Sequence, residues 1–183
     1  THFQTMGLKL SQHFELVFVH GAHHSDTASP GLGFFSDGPW YKWRDDDDDY
    51  DASLQYLADY CKANGSVFDG VYAFSDGVRI VTTLSQSYAK FALKRCPWNF
   101  AILACGDGNS ALAESPKLEF PAFFIHGAKD SVVGQVNILE KCWVNPICFT
   151  HQGGHEITAN IVHREPELGS RLEEFLTKQI QHV

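Results

Sequence analysis

The feature that most constrains this chain is a series of short apolar runs that do not alternate with polar residues. They are Leu16-Val17-Phe18-Val19, Gly70-Val71-Tyr72-Ala73-Phe74, Phe100-Ala101-Ile102-Leu103-Ala104, Phe120 to Ile125, and Ile147-Cys148-Phe149-Thr150. A strand with one wet face alternates, whereas a run that is apolar at every position is buried on both faces. Longer amphipathic stretches lie between the runs. Tyr50 to Asn64 carries Leu54, Leu57, Ala58 and Cys61 at helical spacing, with Asn64-Gly65 as a stop. Val78 to Tyr88, Val132 to Trp143, and Pro166 to Gln181 also read as helices. Phe3, Met6, Leu8 and Leu10 suggest a first helix over residues 2–12, and His23 to about Trp40 reads as a polar loop. Strands alternating with helices predict an α/β fold: a mostly parallel sheet covered by helices on both faces.

The same runs exclude a membrane span, which needs about 18 consecutive apolar residues. With 183 residues the chain is expected to form one domain, 1–183, with a real core. Acidic residues outnumber basic ones, 22 to 14, for a net charge of −8. That sign gives little attraction for phosphate backbones, so nucleic acid is not an expected partner. The five cysteines, Cys61, Cys96, Cys105, Cys142 and Cys148, contain no CxxC pair. They read as small core residues of a protein in the cytoplasm or another reducing intracellular compartment, organelles included.

In open parallel sheets, chemistry gathers at the carboxyl ends of the strands. Ser75 follows one run, within Ala73-Phe74-Ser75-Asp76-Gly77. This is a small-x-Ser-x-small turn from strand to helix. It exposes a serine at the helix N-terminus and lets the next amide, here of Asp76, donate to an oxyanion. Asp130 follows the run ending at Ile125, within His126-Gly127-Ala128-Lys129-Asp130, and His155 follows the last run, within Gln152-Gly153-Gly154-His155. A serine nucleophile needs a histidine base, and the base needs a carboxylate to fix its tautomer. Asp130 also suits a helix cap and His155 a backbone-bonded loop histidine. The order serine, aspartate, histidine, each just past a strand run, favours the catalytic reading.

Other groups carry less. His20-Gly21 reads as the end of a strand. His23-His24 with Asp26 is a poor metal site, because neighbouring histidines point apart. Asp45 to Asp49 lacks the spacing of a calcium loop and reads as a solvated run favouring the next helix N-terminus. No metal site is expected. Trp40, Tyr41 and Trp43 are either core or the roof of an acyl pocket. His126 is either near the site or structural, and Cys105 reads as packing.

These motifs resemble the FSH-type serine hydrolases, small α/β-hydrolases also called ovarian-cancer-associated-like esterases. The resemblance rests on Phe14 to Val19, Gly38-Pro39-Trp40-Tyr41-Lys42-Trp43, Ala63-Asn64-Gly65 through Val71, the Ser75 elbow, and the loops bearing Asp130 and His155. It implies an α/β-hydrolase-like sheet and cofactor-free hydrolysis of small-molecule carboxylic esters or acyl thioesters. It implies catalytic roles for Ser75, Asp130 and His155, with Asp76, Trp40 and Trp43 at the oxyanion and substrate. The sequence departs from the family pattern at Ala73 and Asp76, where Gly and Gln are usual. A carboxylate at position 76, if turned inward, would oppose the developing negative charge. The chain is also expected to lack the family's first strand and its oxyanion loop, leaving an N-terminally incomplete domain. An exposed sheet edge of that kind would call for a protein partner. The alternative function is therefore a non-catalytic hydrolase-fold subunit or binding module within a larger assembly.

Overall fold

The computed structural model describes residues 9–27, 38–47, 49–65, 67–108 and 110–181. In chain order the elements are β1 (His23–Ser25), β2 (Trp40–Lys42), α1 (Asp51–Ala63), β3 (Phe68–Phe74), α2 (Asp76–Ser87), a 3-10 turn (Tyr88–Phe91), β4 (Trp98–Ala104), α3 (Ser110–Ala113), β5 (Ala122–Gly127), α4 (Val133–Glu140), β6 (Ile147–His151), α5 (Ala159–Arg164) and α6 (Pro166–Ile180). Strands β3, β4, β5 and β6 form a parallel sheet in that order, and β1 pairs antiparallel with β2 as a separate ribbon.

The unbroken apolar runs have the expected cause. Along β4, Trp98, Ala101 and Leu103 face one core cluster, while Phe100, Ile102 and Ala104 face the other. The first cluster takes Leu54, Leu57, Ala58 and Cys61 from α1, Val78, Ile80, Val81 and Leu84 from α2, and Val136 and Leu139 from α4. The second takes Ile161 from α5 and Leu168, Leu172, Phe175 and Leu176 from α6. Burying side chains of this size contributes about 1.5–3 kcal/mol each. Local spacing that would leave α6 marginal as an isolated helix therefore becomes decisive once its stripe meets the sheet. Gly70 is required by contact: a Cβ there would lie 2.2 Å from the Phe100 ring, which packs against Phe14 and Phe175 at centroid distances of 5.6 and 5.9 Å.

One expected strand does not form. Residues 16–19 have no strand hydrogen bonding, and Val17 and Phe18 are 54% and 71% exposed. A strand exists through a partner about 4.8 Å away. Here residues 14–19 and Phe68–Phe74 line a common apolar cavity of about 510 Å³ instead of pairing. The loop expected from His23 onward contains the short β1, because Ser25 meets Trp40 and His23 meets Lys42 across the ribbon. Gly21 permits this approach, since a Cβ there would lie 2.2 Å from the Lys42 carbonyl oxygen. The first helix lies largely outside the described residues; Lys9 and Leu10 are helical. No helix among the described residues is long and apolar enough to cross a membrane.

Two buried histidines hold the ends of β5 and β6, one across the strands and one within the loop that follows. His126 Nε2 meets Thr150 Oγ1 at 2.8 Å across β5 and β6. His151 is fully buried, and its Nδ1 accepts from the Gly153 N–H at 3.1 Å. Burial pushes both imidazoles below their ordinary value of 6.5. The folded protein holds them neutral while the unfolded chain takes up protons near 6.5. Their share of the stability should therefore be whole above about pH 6.5 and drain away as pH falls below it. Urea denaturation between pH 7.5 and 5 should show this decline, and His126→Gln should make it shallower.

Candidate active site

Ser75 sits where β3 turns into α2. Its backbone, at φ 55° and ψ −127°, is in a region that costs a non-glycine residue of order 1–3 kcal/mol. Neighbours hold it there: the Ser75 N–H donates to the Ala104 carbonyl of β4 at 3.0 Å, and the Ser75 carbonyl accepts from the Val78 N–H at 2.9 Å. The turn lifts the side chain off the sheet at the start of α2. There the Asp76 amide is one of the first helical N–H groups and has no helical acceptor.

Asp130 and His155 come from the loops after β5 and β6. Two backbone bonds join these loops, Ala128 N–H to the His151 carbonyl at 2.8 Å and Lys129 N–H to the Gly153 carbonyl at 2.9 Å. Gly127 makes the approach possible, since a Cβ there would stand 2.2 and 2.4 Å from the Gly154 and Gly153 oxygens. The outcome is a continuous line: His155 Nδ1 lies 2.9 Å from Asp130 Oδ2, and His155 Nε2 lies 2.9 Å from Ser75 Oγ. The Asp130 side chain has no exposed area, whereas that of His155 is 37% exposed. Asp130 Oδ1 accepts from the Val132 N–H at 3.0 Å in the turn ahead of α4. The N-cap of α4 is Val132, which has no side-chain cap, so Asp130 does not serve as the helix cap. The Phe74 ring packs at 5.2 Å from the imidazole. A base so placed can take the serine proton while its far nitrogen stays bonded to a carboxylate.

The Asp76 carboxylate is drawn toward other groups. One oxygen lies 3.4 Å from the Tyr50 hydroxyl and the other 3.4 Å from Arg44 Nε. Arg79, whose guanidinium carbon lies 5.2 Å above the Tyr50 ring, reaches Asp107 at 2.6 Å. Burial raises the Tyr50 hydroxyl to about 12, with Asp76 adding to the rise, so it stays a neutral donor. Sequence reasoning missed Arg44, Tyr50, Arg79 and Asp107, which no local motif marks. Trp43 reaches the elbow, with Nε1 3.7 Å from where a Gly77 Cβ would be, and lines the 510 Å³ cavity. Trp40 lies on β2 and does not line that cavity. His20 stacks on Tyr41 at 4.1 Å, and Asp49 accepts from the Tyr50 and Asp51 amides at the start of α1.

Among the described residues, Cys105, Asp130 and His155 bring three ligand-type atoms within 4.8 Å of one another. The 2.9 Å between Nδ1 and Oδ2 fits a hydrogen bond. It is shorter than the roughly 3.3 Å that two ligands about 2.0 Å from a tetrahedral zinc would keep. Burial, with Asp130 alongside, pushes the Cys105 thiol up to about 12, away from the thiolate a metal needs.

A parallel sheet with a serine elbow after one strand and a histidine–aspartate pair after two others defines an α/β-hydrolase. The chain belongs to the serine hydrolase (FSH1) family, whose pattern matches residues 3–165. No curated protein sequence matches it closely. The fold is similar to that of a predicted CIB-like hydrolase from Thermoplasma acidophilum (18% identity, 75% of this chain and 60% of that one, TM-score 0.52). It is also similar to protein Atu2452 of unknown function from Agrobacterium tumefaciens (16% identity, 93% and 84%, TM-score 0.60). A Bacillus cereus carboxylesterase matches less closely (16% identity, 65% and 58%, TM-score 0.44). The chain thus spans 60% and 58% of the lengths of the Thermoplasma and Bacillus proteins.

Gly127→Ala should force the two loops apart, because backbone on both sides leaves the new methyl no room. Urea denaturation should show a loss of about 1–3 kcal/mol, the usual range for overpacking.

Proposed function

We propose that the protein hydrolyses carboxylic esters or acyl thioesters of small molecules through an acyl-enzyme on Ser75. The observation that carries this reading is the placement of the His155 ring, 2.9 Å from Ser75 Oγ on one side and 2.9 Å from Asp130 Oδ2 on the other. In the first step His155 Nε2 takes the Ser75 proton as Oγ bonds to the acyl carbon. The Asp76 amide, at the positive end of α2, donates to the oxyanion. His155 then passes the proton to the departing alcohol or thiol. A water, deprotonated by the same nitrogen, releases the acid and restores Ser75. Asp130 holds the imidazole in the tautomer that accepts at Nε2 and stabilises the imidazolium. Trp43, beside the elbow, forms part of the wall against which an acyl group would pack. Trp40, at the start of β2 and outside the cavity that Trp43 lines, is assigned no contact with the acyl group.

The charge at Asp76 fits this scheme. Its carboxylate is engaged by Arg44 and Tyr50 while its amide is left for the substrate.

A fluorophosphonate probe on the full chain tests the reading. Ser75 should be labelled, labelling should vanish in Ser75→Ala, and a panel of acyl esters and thioesters should be turned over. Absence of labelling would overturn the reading in favour of a non-catalytic module. Asp130→Asn should lower kcat by about 10⁴-fold with the fold intact, as expected when the imidazole loses its tautomer control. Asp76→Asn should change kcat by less than about fivefold, since a partly exposed ion pair is worth little. Arg44→Ala, which leaves that carboxylate without its cation, should lower kcat more; steady-state kinetics on the pair decides.

A further inference from the structure

We propose that Cys105 is a positioning residue for Asp130: its S–H donates to the buried carboxylate and so helps hold the histidine that the carboxylate carries. This rests on the acyl-transfer reading above and deepens it. Cys105 is the residue directly after β4, 1% exposed, with a left-handed φ of 50° that a non-glycine residue seldom adopts. Its N–H donates to the Ile125 carbonyl of β5 at 2.8 Å, fixing the backbone beside the strand that leads to Asp130. Its sulfur, an Asp130 oxygen and a His155 nitrogen all lie within 4.8 Å of one another.

The Asp130 carboxylate has room for such a donor. An ionised carboxylate offers about four acceptor sites. Val132 N–H and His155 Nδ1 account for one bond to each oxygen. The side chain has no exposed area, so bulk water cannot supply the rest. A further donor to a buried charge is worth more than one to a neutral group. The groups that interact with the thiol are Tyr72 from β3, Asp130 from the β5 loop, and the Gly127 and Glu156 backbones; the His155 ring stands beside it. Burial and the adjacent carboxylate keep the thiol protonated, which suits a donor and rules out a second nucleophile.

A thiol that donates to Asp130 disperses its charge. Removing it leaves the carboxylate holding the imidazolium more tightly, and that moves the acidic limb of the rate profile to higher pH. The experiment compares the full chain with Cys105→Ala and Cys105→Ser. It uses kcat and KM against pH on an ester found by the panel, together with the His155 Nδ1 proton resonance by NMR. In Cys105→Ala, kcat should fall about two- to tenfold with KM unchanged, a loss sized to one hydrogen bond. The acidic limb should rise and the resonance should move. Cys105→Ser, which keeps a donor, should bring all three back toward wild type. The proposal is overturned if Ala leaves limb and resonance unmoved. It is equally overturned if Ala and Ser lose activity alike with a matching drop in Tm, which would mark plain packing. If the wild type neither labels nor turns over, the acyl-transfer reading falls, and the resonance alone still decides the role of the thiol.

Discussion

The two backbone hydrogen bonds from Ala128 and Lys129 to His151 and Gly153 join loops that would otherwise be independent. Everything at the site depends on that join. Asp130 belongs to one loop and His155 to the other, 25 residues apart, yet their side chains meet at 2.9 Å. A flexible pair at that separation would meet rarely, because loop closure and rotamer fixing both cost entropy. The sheet removes that cost in advance. Parallel pairing of β5 with β6 runs to Gly127 and His151, so the loops leave the sheet side by side. His151, buried and neutral, then fixes the Gly153 amide.

The same economy of placement governs charge. The face above the strand ends carries Asp76, Asp107, Arg44 and Arg79, joined through the Tyr50 hydroxyl and ring. A carboxylate one residue from a nucleophile would ordinarily work against an oxyanion. Here the helix geometry separates the two ends of the residue: the amide points along the axis of α2 while the carboxylate leans across to Arg44. Backbone and side chain of one residue thus face different surroundings.

Much of this was legible from residue order alone. Apolar runs marked β3 to β6, of which the central β4 and β5 are buried on both faces while β3 and β6 at the edges are only partly covered, and helical spacing marked α1, α2 and α6. The rule that chemistry lies just past a strand pointed to Ser75, Asp130 and His155, and the structure brings these three side chains into one line of hydrogen bonds. It also pointed at Cys105, whose residue type suggested packing; only the three-dimensional approach of Asp130 shows what the thiol faces. The run at 16–19 was misread because apolar composition signals burial, whereas a strand also needs a hydrogen-bonding partner, which no local pattern supplies. The β1–β2 ribbon and the Arg44–Tyr50–Arg79–Asp107 group were illegible for a related reason. They depend on pairings between distant segments, and neither three-residue strands nor single charged residues carry a period to read.

The left-handed backbone at Ser75 has a thermodynamic consequence. The strain belongs to the position and not to the hydroxyl, so an alanine there bears it in full, while a glycine is relieved of it. The turn thus carries a local cost that the hydrogen bonds of Ser75 to β4 and within α2 hold in place. A glycine at position 75 would be free of that strain, would bring more backbone freedom to the turn, and would lack the hydroxyl that His155 meets.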